Sequence, residues 1–128
     1  MYTPLIIRAI TAPATAPASR PLFDLTLTDE QRLMRDSLRK FVSSVVRPSS
    51  RNSDESAEAP EGFYDRTLEL GFLAVQLPEA IGGLGAPRSP VSNMLIAEDL
   101  AYGDMSLAIG ALAPLSFVNT VLDQGTDA

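Results

Sequence analysis

Between Leu27 and Pro48 the chain reads LTDEQRLMRDSLRKFVSSVVRP, and the period of its apolar residues commits it to a helix. Met34, Leu38, Phe41 and Val45 recur at spacings of four, three and four, which places them in one stripe. Thr28 followed by Gln31 is a capping-box pattern, and Asp29 and Glu30 favour the positive end of the helix dipole. Arg32, Arg35, Arg39 and Lys40 fall mostly off the stripe and read as a solvated face. Pro48 is expected to stop the element.

The segments that follow carry the same period. Ser49 to Gly62 is polar, acidic and free of apolar periodicity, which predicts a solvent-exposed connection. A short helix with Phe63, Thr67 and Leu70 on one side should end at Gly71. FLAVQLP then reads as a short helical or extended link. Ser89 and Pro90 suit the cap and first turn of a further helix, whose face would run through Val91, Met94, Leu95, Glu98 and Tyr102. The last helix opens at Asp104 or Ser106 and stops at Gly125. It is apolar nearly all round, through Leu107, Ile109, Leu112, Leu115, Val118, Val121 and Leu122, with Pro114 expected to kink it. A helix of that kind is expected to be buried in a larger assembly. The fold expected is an all-α bundle of four to five helices over residues 25–128.

Residues 1–24 are expected to form an extended or disordered lead. The first 23 hold Arg8 and Arg20 and no acid, but Pro4, Pro13, Pro17 and Pro21 would interrupt the amphipathic helix of a transit peptide. The apolar patch from Leu5 to Ile7 is too short for a secretory signal, so the expected location is cytoplasmic. The net charge is −6, with the acids concentrated after residue 23, and such a surface repels phosphate backbones. No nucleic-acid partner is expected, and no apolar run reads as a membrane span. The chain has neither cysteine nor histidine. That excludes thiolate and Ser-His-Asp catalysis within it, together with ordinary zinc sites.

The stretch LPEAIGGLGAPRSP holds three glycines and could be taken for a phosphate-binding loop. It lacks the Lys-Ser or Lys-Thr that ends a P-loop, and GGLG does not match the G-x-G-x-x-G dinucleotide fingerprint. It is expected to be a structural turn. Glu98 and Asp99 are adjacent, so on a helix they diverge by about 100° and cannot share a proton. Capping, salt-bridge or solvated roles are expected for them, and a core position with a satisfied hydroxyl for Tyr102.

Three pieces in order then carry a resemblance: LTDEQRLMRDSLRKFV, LELGFLAVQLPEAIGGLG and AEDLAYGDMSLAIG. Together they are similar to the N-terminal helical domain of the acyl-CoA dehydrogenase family, over about residues 25–126. That family shows L-T-x-E-Q, then L-G-L-x-x-x-x-x-P-E-x-x-G-G-x-G, then E-[ED]-L-A. The resemblance implies an FAD-dependent oxidoreductase that oxidises the Cα–Cβ bond of acyl-CoA thioesters. A carboxylate takes the α-proton and the flavin accepts the β-hydride.

Family members continue into a middle β domain and a C-terminal helical bundle, which hold most FAD and CoA contacts and the usual glutamate base. The resemblance therefore implies no catalytic, cofactor-binding or metal-binding residue in this chain, and no dehydrogenase activity for the 128 residues alone. It also implies a homo-oligomer for a complete member. Acyl-CoA oxidases and flavin monooxygenases share the plan and remain alternatives, as does a free-standing helical interaction module without flavin. By matching EDLAYG and counting onward, the resemblance places Leu107, Ala108, Ala111, Leu112 and Leu115 at the wall of the acyl pocket. The same five residues read equally as ordinary bundle core.

Overall fold

The computed structural model describes residues 26–125. The lead expected over 1–24 lies outside the described residues. Five α-helical segments and no strand occur among those described. They are α1 (Asp29–Phe41), α2 (Arg47–Ser56), α3 (Phe63–Glu69), α4 (Pro90–Gly103) and α5 (Met105–Gln124). The fold is an all-α bundle, as its apolar periodicity requires.

The capping box forms at the start of α1. The Gln31 amide donates to Thr28 Oγ1 at 3.2 Å, and the Thr28 amide donates to Gln31 Oε1 at 3.0 Å. Met34, Leu38 and Phe41 are buried as the stripe demands. Pro48, however, does not end the helix. A π-helical segment, Val42–Val46, joins α1 to α2 in one continuous rod, and Pro48 falls in the first turn of α2. A proline inside an α-helix loses one hydrogen bond and collides with the preceding turn. The wider π turn relieves that collision, and its extra residue moves the buried face from Val45 to Val42 and Val46. Ser43, Ser44 and Ser49 donate to carbonyls four residues back, a pattern that bends helices. The connection expected over 49–62 is thereby shortened, since α2 runs to Ser56, buries Ser53 and ends at left-handed Ala57.

From there the chain folds back as α3, with Phe63 and Thr67 buried and Gly71 at φ 78° closing it. The FLAVQLP link is a 3-10 turn at Ala74–Gln76. Ser89 caps α4 by accepting from the Ser92 amide at 3.2 Å. The buried face of α4 differs from the expected one. Ile96, Asp99 and Leu100 point inward, whereas Val91, Met94 and Tyr102 are exposed. Two contacts decide this orientation. Asp99 reaches arginines on α1, and Gly103 packs so closely on the rod that an added Cβ would lie 2.7 Å from Val46 Cγ1. Tyr102 is therefore not a core residue; its exposed ring lies under the Arg47 guanidinium, 4.6 Å from the centroid.

Asp104 caps α5, accepting from the Leu107 amide at 2.9 Å. The helix then continues through Pro114 to Gln124. Because Pro114 does not break it, α5 is long and apolar enough to cross a membrane by length and composition alone, contrary to the expectation from sequence. Leu107, Ala108, Ala111 and Leu115 are buried, and the first three share a core with Phe41, Phe63, Phe72, Ile96 and Leu100. The opposite side of α5 exposes Met105, Ile109, Phe117 and Val121.

Candidate functional site

The glycine loop is the first surface where a cofactor could be sought. A 3-10 turn at Glu79–Ile81 leads into Gly82 and Gly85, both with positive φ. A Cβ on Gly83 would overlap the Leu77 carbonyl. The amides of Gly82, Gly83, Leu84, Gly85 and Ala86 donate to the carbonyls of Glu79, Pro78, Ala74, Leu77 and Val75. Five consecutive N–H groups are thus spent inside the loop, and none is left to cradle a phosphate. The glycines serve the turn, as the sequence reading holds.

The charged residues form a helix–helix clamp rather than an acid–base pair. Arg35 donates to both Asp99 oxygens at 2.8 Å, and Arg39 Nε donates to Oδ1 at 3.2 Å. Glu98 joins at the rim, 3.4 Å from Arg35. Burial pushes the Asp99 carboxyl up, but the hydrogen bonds and charge of Arg35 and Arg39 outweigh it and hold the group below its ordinary value. Arg35 is raised, chiefly by its hydrogen bond to Asp99. A carboxylate so tied is a poor proton acceptor. Arg35 therefore leaves the solvated face expected for it, since its side chain is only 16% exposed. Among the described residues no group of histidine, cysteine or acidic side chains is arranged to hold a metal ion.

The five residues at the expected acyl wall divide between two environments. Leu107, Ala108, Ala111 and Leu115 are buried in the bundle, and Leu112 is half-buried against it. Ala108 and Leu112 also border an open groove of about 700 Å³ between α4 and α5. Met94, Ala97, Ala101 and Ile109 line the same groove. Ala111 instead borders a cleft toward α3, and Leu107 a polar one beyond it. Counting from the motif missed the α4 side of the groove, although Met94, Ala97 and Ala101 stand at spacings of three and four. The groove is apolar, with Glu98 and Ser116 as its polar members. Such a surface suits an alkyl chain or another protein's apolar side chains. Neither it nor the glycine loop fits the diphosphate of a flavin dinucleotide, which needs amides or cations.

Comparison with known proteins agrees with this architecture. Residues 28–128 match the model of the acyl-CoA dehydrogenase N-terminal domain. The chain is 36% identical over 97 residues to benzylmalonyl-CoA dehydrogenase of Aromatoleum aromaticum, covering 76% of this chain and 25% of that protein. It is 31% identical over 105 residues to the "Probable medium-chain specific acyl-CoA dehydrogenase 2, mitochondrial" of Caenorhabditis briggsae, covering 82% and 25%. It is 33% identical over 93 residues to the "Probable acyl-CoA dehydrogenase fadE25" of Mycobacterium bovis, covering 72% and 23%. The chain spans about a quarter of the length of these relatives. With the capped first helix, the glycine turn and the α4–α5 pair in the matched order, the chain belongs to the acyl-CoA dehydrogenase family as an N-terminal domain.

Proposed function

We propose that this chain acts as the leading domain of an FAD-dependent enzyme that oxidises the Cα–Cβ bond of acyl-CoA thioesters, working in the cytoplasm as part of a homo-oligomer. Its contribution is a wall of the acyl pocket together with an interdomain interface. The observation that carries this reading is the α4–α5 groove, open and apolar on the helix that the family resemblance assigns to the acyl chain. Ala108, Leu112 and Ile109 would meet the chain directly. Leu107, Ala111 and Leu115 hold α5 against the bundle and so set the groove's depth. The flavin supplies hydride acceptance when bound; the residues of this chain shape the apolar surface and exclude water from it.

In the complete enzyme containing this domain, Leu112→Trp should fill the groove. The ratio of kcat/KM for long against short acyl-CoA substrates should then fall tenfold or more. Leu33→Trp, on the exposed side of α1, should leave the ratio unchanged. An equal loss at every chain length, or no change for Leu112→Trp, would refute the wall assignment. The 128 residues alone should show no turnover with acyl-CoA, FAD and an artificial acceptor, and robust turnover would overturn that expectation.

A further inference from the structure

A separate cavity of about 230 Å³ lies where the start of α1, the 3-10 turn at Ala74–Gln76 and the start of α4 meet. Met34, Phe72, Val75 and Ile96 form its apolar lining. The polar side chains around it are already engaged with one another. Gln31 Oε1 accepts from the Thr28 amide, and its Nε2 donates to Ser92 Oγ, which donates in turn to Ser89 Oγ. Gln76 donates to Asn93. Glu30 is the one charged residue bordering the cavity among those described, so an anionic ligand finds no counter-charge there.

The size of the cavity narrows the choice of occupant. An apolar cavity of about 150 Å³ already accepts a benzene ring. Pockets for small-molecule ligands run from about 300 to 1,000 Å³. This one therefore has the scale of an aromatic side chain. The described residues begin at Thr26, and Thr28, two positions on, borders the cavity. The backbone of Thr28 is extended, and Thr26 is exposed where Leu27 is half-buried. Read backward from there, Leu27, Leu25 and Phe23 alternate with Thr26 and Asp24. That is the period of an extended segment with one apolar side. Leu25 stands three residues before Thr28 and Phe23 five, spans of at most about 10 and 17 Å of extended chain.

We propose that this cavity is the docking site of the chain's own lead, with the Phe23 ring inside it and Leu25 at its mouth. So placed, the lead straps the start of α1 to α4 and to the glycine loop. Tethering selects this occupant. A side chain held five residues away is present at an effective concentration in the millimolar range, far above that of a second copy in a micromolar sample. The cavity shares no lining residue with the α4–α5 groove, so the assignment goes beyond the acyl-wall reading and either can fail alone.

The test uses the full 128-residue chain with its Met, Val and Ile methyl groups isotopically labelled. The Phe23 ring protons should give nuclear Overhauser contacts to the methyls of Met34, Val75 and Ile96. Phe23→Ala should remove those contacts and lower the folded-to-unfolded ratio at least fivefold in urea unfolding. It should also let toluene bind saturably at the same three methyls, which the unaltered chain should not. Ile6→Ala/Ile7→Ala, in the other apolar stretch of the lead, should change none of these. Ala86→Phe, which fills the cavity from its wall, should abolish the Phe23 contacts and leave the helical circular dichroism intact. Three results would overturn the proposal: no contact from Phe23 to any of the three methyls, unchanged stability in Phe23→Ala, or saturable toluene binding by the unaltered chain. Contacts that arise between differently labelled chains in a mixed sample would also overturn it, in favour of the lead of a second copy.

Discussion

Asp99 is the charged residue that ties α4 to α1. It is 4% exposed and bonded by two arginines from α1, so removing the carboxylate takes two hydrogen bonds from the largely buried Arg35 and leaves it only the exposed Glu98 at the rim. Asp99→Ala should cost about 2–4 kcal/mol by denaturant unfolding, toward the lower end because water reaches Arg39. The pH dependence has a definite sign. The folded pKa of Asp99 lies below its unfolded value, so its contribution is present above the unfolded carboxylate pKa of about 4 and is lost as pH falls through the lower folded value. Asp99→Asn should flatten the acid limb of the stability curve, and an unchanged limb would show that other carboxylates control it. The sequence assigned Asp99 to caps, salt bridges or solvent but could not show its partner. The two partners lie 60 and 64 residues away, and no local spacing encodes that pairing.

The elements were legible wherever the signal was local. Thr28 with Gln31, Ser89 with Pro90, and Gly71 each mark a boundary through their own side chain or backbone, and the helices begin or end there. Two features depended on tertiary packing instead. Pro48 reads as a stop because proline is hostile to an ordinary α-helix, and the π turn before it removes the hostility. The face of α4 was ambiguous because apolar residues lie on both sides; the fit of Gly103 against Val42 and Val46 resolves it. That fit is testable. Gly103→Ala places a methyl 2.8 Å from Val42 Cγ1 and 2.7 Å from Val46 Cγ1, inside normal contact. It should destabilise by about 1–3 kcal/mol. Adding Val46→Ala should recover part of the loss, so the two changes are non-additive when measured as a double-mutant cycle. Strict additivity would mean that the rod and α4 do not meet at this point.

At the scale of the molecule, α5 is central and yet mostly uncovered. Four of its residues lie in the core, while Ile109 and Phe117 are 63% and 71% exposed on its outer faces. The all-round apolarity seen in the sequence predicted burial in a larger assembly, but not which residues remain free within this domain. That distinction depends on α4 and α3 flanking the helix and leaving a groove on each side. Contiguous apolar surface of this kind marks an interaction site and attracts hydrophobic dyes. The 128-residue chain should therefore bind such a dye in its folded state and associate at high concentration. Ile109→Gln with Phe117→Gln should lower dye fluorescence at least severalfold. The change in unfolding free energy should stay within about 1 kcal/mol, because neither side chain packs in the core. Dye binding that survives the double change would place the apolar surface away from α5. Loss of dye binding together with loss of folding would show instead that these side chains support the bundle. Separating the two outcomes requires only a dye titration and a melting curve on the same sample.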